Sequence, residues 1–517
     1  MRRWRSALVA AAVGVGLLGH GPRAHAHVGS PDVVFEGAAG PYSLLVTIQP
    51  PEVIPGVAIV DVQSPSAPLR LVSIVPLPLQ GPGAALPPTA DVAHPLDGDR
   101  HRFVGRIWLM APGTWQVRIH VQGERGDGQL AIPVPALPLR TKTIQGGLGL
   151  GLIALLVFLL AGLVSIVGAS VRDADLDPAQ RPDDDRRRRS LIARVIAAGV
   201  LVGLVAGGAA WWSDEASVYG GRVYRPLTLT AATSVDGDGT TGLWLTLADP
   251  RWGKARRMDD LVPDHDHLMH LFVVRVPALD VVAHLHPEQA EPGRFHHALP
   301  ALPAGQYQLF ADVVHATGLA ETATTLLSLP AIRGAVASSD DAVGEGSPLG
   351  AVAAGDHGLA RLPDGTRVIW LDDAGSGASD GKLLAGRTTW FRFRVEDADG
   401  RPATDVTPYM GMAGHAAFIK SDRSVFAHIH PSGSVSMASL AVMDAGGGAG
   451  NKTATGTPAN PHAGHAGHHA TLPPEISFPY ACPTPGLYRL MVQFKRGDAI
   501  HTAFFEATVL AAPIVRN

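Results

Sequence analysis

The sequence predicts a mainly β protein with three Ig-like β-sandwich domains plus a two-helix transmembrane hairpin. Three observations carry that expectation. Glycine (59) and proline (42) are plentiful and helix-forming charged runs are scarce, so turns should be frequent. Three regions close on one pattern of a Gly turn, an aromatic and an alternating strand: "APGTWQVRIHV" (111–121), "PAGQYQLFADV" (303–313) and "TPGLYRLMVQF" (484–494). Two uncharged apolar runs between the first and second of these are long enough to cross a bilayer.

Taken in order, residues 1–26 read as a secretory signal. "MRRWR" is a basic start, "SALVAAAVGVGLLG" a short apolar run, and Ala24-His25-Ala26 a cleavage site that leaves His27 first in the mature chain. Residues 27–142 read as an extracytoplasmic sandwich, with strands such as "YSLLVTIQP" and "RFVGRIWLM" set between Pro and Gly turns. Transmembrane helices are expected at 144–170 and 195–213, joined by a loop at 172–194 that carries seven arginines. That charge places the loop in the cytoplasm and both large parts on the outer, periplasmic side of a bacterial inner membrane. Gly199, Gly203 and Gly207 recur every four residues, which fits close helix packing or plain small-residue content. Residues 214–335 form a His-rich sandwich. Residues 345–510 form a Met/His-rich one with a disordered Gly/His insert at 444–470, whose His462, His465, His468 and His469 either gather metal loosely or merely sit in a flexible loop.

Several functions are disfavoured. Formal charge is −4 with no basic stripe, so nucleic acid is not an expected partner. The single cysteine, Cys482, allows no disulfide or CxxC site and reads as a small buried residue. Neither a Ser/His/Asp or Cys/His nucleophile pattern nor a CxxCH haem site is legible.

The chemistry-bearing residues come as a repeat. "PDHDHLMHLFVV" (263–274) aligns without a gap on "PYMGMAGHAAFI" (408–419), setting His265 on Met410, His267 on Met412 and His270 on His415. One residue's slip later, "AHLHP" (283–287) meets "AHIHP" (427–431). His284 and His286 alternate along a strand, so both imidazoles can reach one ion. With His265, His267 and His270 they make a nitrogen-rich set that suits divalent Cu or Zn. Met410 and Met412, with His415, His428 and His430, make a mixed set suited to Cu(I), because thioether sulfur is soft. The competing account has the histidines capping turns and the methionines filling a core gap. A terminal His27 can also chelate Cu(II) if His94, His101 or His120 completes the set.

"HLMHLFVVRVPALDVVAHLHPE" and "YMGMAGHAAFIKSDRSVFAHIHPSG" resemble the YtkA-like domain of bacterial exported proteins. "AHAHVGSPD" ahead of a β domain is similar to the start of periplasmic CopC-type copper carriers. The resemblance implies an Ig-like sandwich and copper handling. The expectation is a membrane-anchored periplasmic protein that binds, stores or delivers copper rather than zinc, with a copper transporter or cuproprotein as partner. A copper-dependent oxidase or monooxygenase is the first alternative, and a metal-free structural or sensory module the second.

Overall fold

The computed structural model describes residues 32–177, 180–235, 240–250, 258–334, 340–351, 358–371, 382–446 and 471–512. The chain divides into two compact units. Residues 138–224 form one, and the chain before and after them forms the other.

The smaller unit is a helical hairpin, Gly146–Asp173 and Asp184–Gly221, both long and apolar enough to cross a membrane. The arginine-rich stretch expected as a loop is mostly helical. The Asp183 carboxylate accepts from the Arg186 backbone N–H, and Asp184 and Asp185 occupy the first turn, where negative charge favours a helix start. Gly199, Gly203 and Gly207 face open space, so they do not form a packing face. The two helices meet instead at Gly168, where Ser190 Oγ donates to the Gly168 carbonyl at 2.6 Å. Any side chain at Gly168 would collide with Arg194.

The larger unit is all but entirely β. Its first part is an eight-stranded sheet, in spatial order Val33–Ala39, Tyr42–Gln49, Gly56–Gln63, Asp99–Leu109, Asp91–Leu96, Leu69–Pro78, Gly113–Gly123 and Gly126–Ala136. It folds over one core that includes Leu44, Val60, Ile74, Phe103 and Val117. The second part is a larger sheet whose central strands are Gly305–His315, His270–Val276 and Val281–Leu285. A further strand, Ala342–Glu345, pairs with Val281–Leu285, so the second sandwich runs past the expected boundary at 335. The third part has a four-stranded sheet and a six-stranded one that contains His415–Lys420, Phe426–Ile429 and Gly486–Arg496.

The three closing hairpins share one device. Trp115 Nε1 donates to the Ala111 carbonyl, Tyr307 Oη to Pro303 and Tyr488 Oη to Thr484, at 2.9, 2.7 and 2.8 Å. Each aromatic is buried between sheets with its polar tip satisfied four residues upstream.

A short helix, Met437–Gly446, occupies the stretch where the insert was expected to begin. Residues 447–470, with the four insert histidines, lie outside the described residues, as do the signal segment and His27.

The apolar runs in the repeated strands are buried on both faces. Leu271, Val273, Val281, Ala283 and Leu285 point into the second sandwich's own core. Their alternates Phe272, Val274, Val276 and Val282 form a separate cluster with Ala417, Ile419, Phe426 and Met491 of the third sandwich. Strand parity therefore sends His270, His284 and Asp312 towards the third sandwich, and His415, His428 and Gln493 towards the second.

Candidate metal centre between two sandwiches

The two aligned turns are structurally the same. Asp264 and His267 exchange both backbone hydrogen bonds, as do Tyr409 and Met412. The middle residues are left-handed in each, with φ of 49° and 68° at His265 and Asp266 and 49° and 76° at Met410 and Gly411. Each turn delivers its histidine, His270 or His415, to the first position of the following strand.

The imidazoles of the two sandwiches meet in one cluster related by an approximate two-fold axis. His270 and His286 have ring centroids 4.9 Å apart at 86°, and their counterparts His415 and His430 are 5.1 Å apart at 87°. His270–His284 is 5.3 Å at 37°, against 5.5 Å at 35° for His415–His428. The contacts across the axis are reciprocal, as in an isologous dimer. His284 Nδ1 lies 2.9 Å from Gln493 Oε1, and His428 Nδ1 lies 3.4 Å from Asp312 Oδ2. Behind these acceptors, Gln493 Nε2 donates to Thr502 Oγ1, and Thr322 Oγ1 donates to Asp312 Oδ1.

Two triads have ligand atoms all within 4.8 Å of one another: His265 with His415 and His430, and His270 with His284 and His428. Each draws on both sandwiches. His270 and His284 converge as expected within the second sandwich, but both triads add a ligand from the other sandwich, because the strand faces that carry the histidines are the faces on which the sandwiches pack. His267 stands apart from both triads at the edge, stacked on His286 at 4.0 Å with Asp340 beside it at 3.5 Å.

Hydrogen bonding on the outside fixes what the rings present inside. His430 Nδ1 donates to the Val435 carbonyl, His286 Nδ1 to Asp341, and the His265 ring is bonded to the Met410 backbone. The buried Nε2 atoms of His265, His286, His428 and His430 then have no hydrogen-bond partner, nor does either nitrogen of His415. At the centre, His270 Nε2 donates to the Asp264 carbonyl at 3.0 Å while His284 Nδ1 donates to Gln493. A neutral imidazole carries one N–H, so the facing His270 Nδ1 and His284 Nε2, 3.1 Å apart, are both lone pairs. Two metal–nitrogen bonds of about 2.0–2.1 Å would bridge that gap at an angle of roughly 100°.

Burial holds these rings neutral. It lowers His270, His284, His415 and His428 well below the ordinary imidazole range, and neighbouring imidazoles push them further the same way. His430 falls to about 4, by burial first and His265 second. Asp341 is pushed up by burial, but hydrogen bonds from His286 and His297 outweigh that and hold it below the usual carboxylate range.

Met412 is buried and Met410 half-buried, and the apolar core of the third sandwich includes neither. His94, His101 and His120 belong to no group of three potential ligands among the described residues, and His101 Nδ1 is taken by the Ser64 carbonyl. Sequence reading missed Asp312, Asp341, Gln493 and Tyr409. Tyr409 is buried, 3.5 Å from His284 Nδ1, and donates to the Asp340 carbonyl. Strand parity was the one signal available for Asp312 and Gln493. Cys482 is buried as expected, and burial raises its thiol pKa.

The family described as a domain of unknown function (DUF8832) matches residues 228–329 and 371–511, the second and third sandwiches. No curated protein matches the chain. Among solved structures, trypsin-activated alpha-2-macroglobulin from Escherichia coli is similar at 9% identity and a TM-score of 0.17 over 94% of this chain, which spans only 24% of that protein. A putative membrane anchored protein from Corynebacterium diphtheriae aligns at 10% identity over 94% of this chain and 98% of its own, with a TM-score of 0.15. The FN1–FN3 domains of chicken CNTN1 align at 9% identity over 89% and 97%, with a TM-score of 0.12.

Proposed function

We propose that the chain is a membrane-anchored metal-binding protein of the bacterial envelope, with copper as its ion and storage or delivery as its task. One observation carries this reading: buried imidazole nitrogens of His265, His286, His415, His428 and His430 converge on one cluster without a hydrogen-bond partner. An unsatisfied buried polar atom costs about 1–3 kcal/mol, so several in one place demand a cation or a proton. Burial disfavours the proton, and one metal ion can satisfy several of these nitrogens at once. The outer hydrogen bonds to carbonyl and carboxylate are the support that metal-ligating histidines ordinarily have. Nitrogen donors suit Cu(II) and Zn(II), and the adjoining methionine turn favours copper of the two.

The helical hairpin supplies the anchor. Its four consecutive arginines, Arg186–Arg189, argue for a cytoplasmic connection, with the sandwiches outside facing a copper transporter or cuproprotein. The test is metal analysis of the full chain purified in detergent after growth with copper and zinc. Copper should co-purify and should fall in His415→Ala and in His428→Ala. A protein that retains no metal and binds none on titration would overturn the proposal. Oxygen-dependent turnover of the copper form would shift it to an oxidase.

A further inference from the structure

Resting on that reading, we infer that a second, softer copper position lies at Met410 and His286, and that it takes Cu(I). The two-fold relation supplies the geometry. The triad His265–His415–His430 maps through the repeat onto Met410–His270–His286, residue for residue. The turn residues match in backbone conformation, with φ of 49° at both His265 and Met410. The imidazole pairs match as well, 4.9 Å at 86° against 5.1 Å at 87°. His265 and Met410 are also neighbours, since the His265 ring bonds the Met410 backbone near the axis.

A second observation points to a ligand at this position. His286 is buried, Asp341 fixes its Nδ1, and its Nε2 has no partner. His430 on the opposite side has the same unpartnered Nε2, held by the Val435 carbonyl instead. The positions differ in two donors: thioether stands for imidazole at the turn, and His270 is committed to the Asp264 carbonyl and to His284 where both nitrogens of its counterpart His415 have no partner. Sulfur is soft and prefers Cu(I), whereas three imidazoles suit Cu(II) or Zn(II). Met410 therefore pairs with His286 of the second sandwich and not with His428 or His430 of its own.

X-ray absorption of the full chain in detergent, loaded anaerobically with Cu(I), tests the pairing. The wild type should show a sulfur scatterer. Met410→Leu, which keeps the volume of the side chain, should remove it, as should His286→Ala, while His430→Ala should retain it. Met410→His should replace sulfur by nitrogen and strengthen Cu(II) binding. Persistence of sulfur in Met410→Leu, or its loss in His430→Ala but not in His286→Ala, overturns the inference. Bound copper with no sulfur neighbour in the wild type overturns it too and leaves the metal-binding reading intact. A wild type that takes up no copper overturns both.

Discussion

The second and third sandwiches are two versions of one construction, and they differ where chemistry would be done. Both have the left-handed turn, the histidine opening a strand, the His-x-His at the end of the next, and the buried tyrosine of the closing hairpin. In the second, the turn carries imidazole, the ring of His286 is held by a carboxylate, and the acceptor offered to the other sandwich is Asp312. In the third, the turn carries thioether, the ring of His430 is held by a backbone carbonyl, and the acceptor is Gln493. The frame is set by backbone geometry and the core. Donor type is left free to vary.

The largest test removes the surface that brings the versions together. Phe310 and Phe426 stack across it at 4.2 Å, within the cluster shared by both sandwiches. Phe426→Ala should cost about 3–5 kcal/mol in denaturant unfolding and lower metal retention on both sides of the axis. Loss of stability with both triads still loading normally would break the claim that the sites depend on the packing.

A smaller effect should separate the two His-Pro loops. Gly433 has φ of 119°, and a Cβ there would lie 2.1 Å from the Val34 carbonyl oxygen of the first sandwich. It also exchanges both backbone hydrogen bonds with His430. Gly433→Ala should cost about 1–3 kcal/mol in thermal melts, whereas its counterpart Gln289→Ala should change stability by less than about 0.5 kcal/mol. Equal costs would show that the first sandwich does not buttress the third.

Asp341→Asn should weaken copper retention at the His286 side by about 10–100-fold in chelator competition, since a ligand's outer partner is lost. No side-chain change can do the same to His430. An unchanged affinity would mean His286 is not a ligand. The smallest effect is a match. Tyr307→Phe and Tyr488→Phe should each cost about 1 kcal/mol, chiefly the hydrogen bond to a carbonyl four residues away, with the Thr484 hydroxyl beside Tyr488 able to pair elsewhere. Unequal losses would show that the hairpins only look alike.

Much of this was legible from residues alone. The three Gly-aromatic endings gave the closing hairpins because the device is local, a turn and a ring within five positions. The gapless alignment of His265 on Met410 was likewise right, since turn and strand follow directly. The pairing of the sites was not legible. His284 meets Gln493 across 209 positions, and no local pattern names one strand as the partner of the other. The double-sided apolar runs were a hint, because "HLFVVRV" has too few polar residues for an exposed face. Helix Met437–Gly446 was hidden by the glycine-rich sequence that follows it.

The presence of both sandwiches in one chain has a consequence for how the centre can change. Residues 340–345 contribute the His286 clamp and an edge strand, and precede the third sandwich in the chain. The halves are thus a two-fold dimer joined into one chain. In a dimer of identical subunits every replacement is made twice, so a change at the turn would convert both positions together. Within a single chain the replacement is made once. The tandem can hold imidazole at 265 and thioether at 410, two donor types that a dimer of identical subunits could not keep side by side.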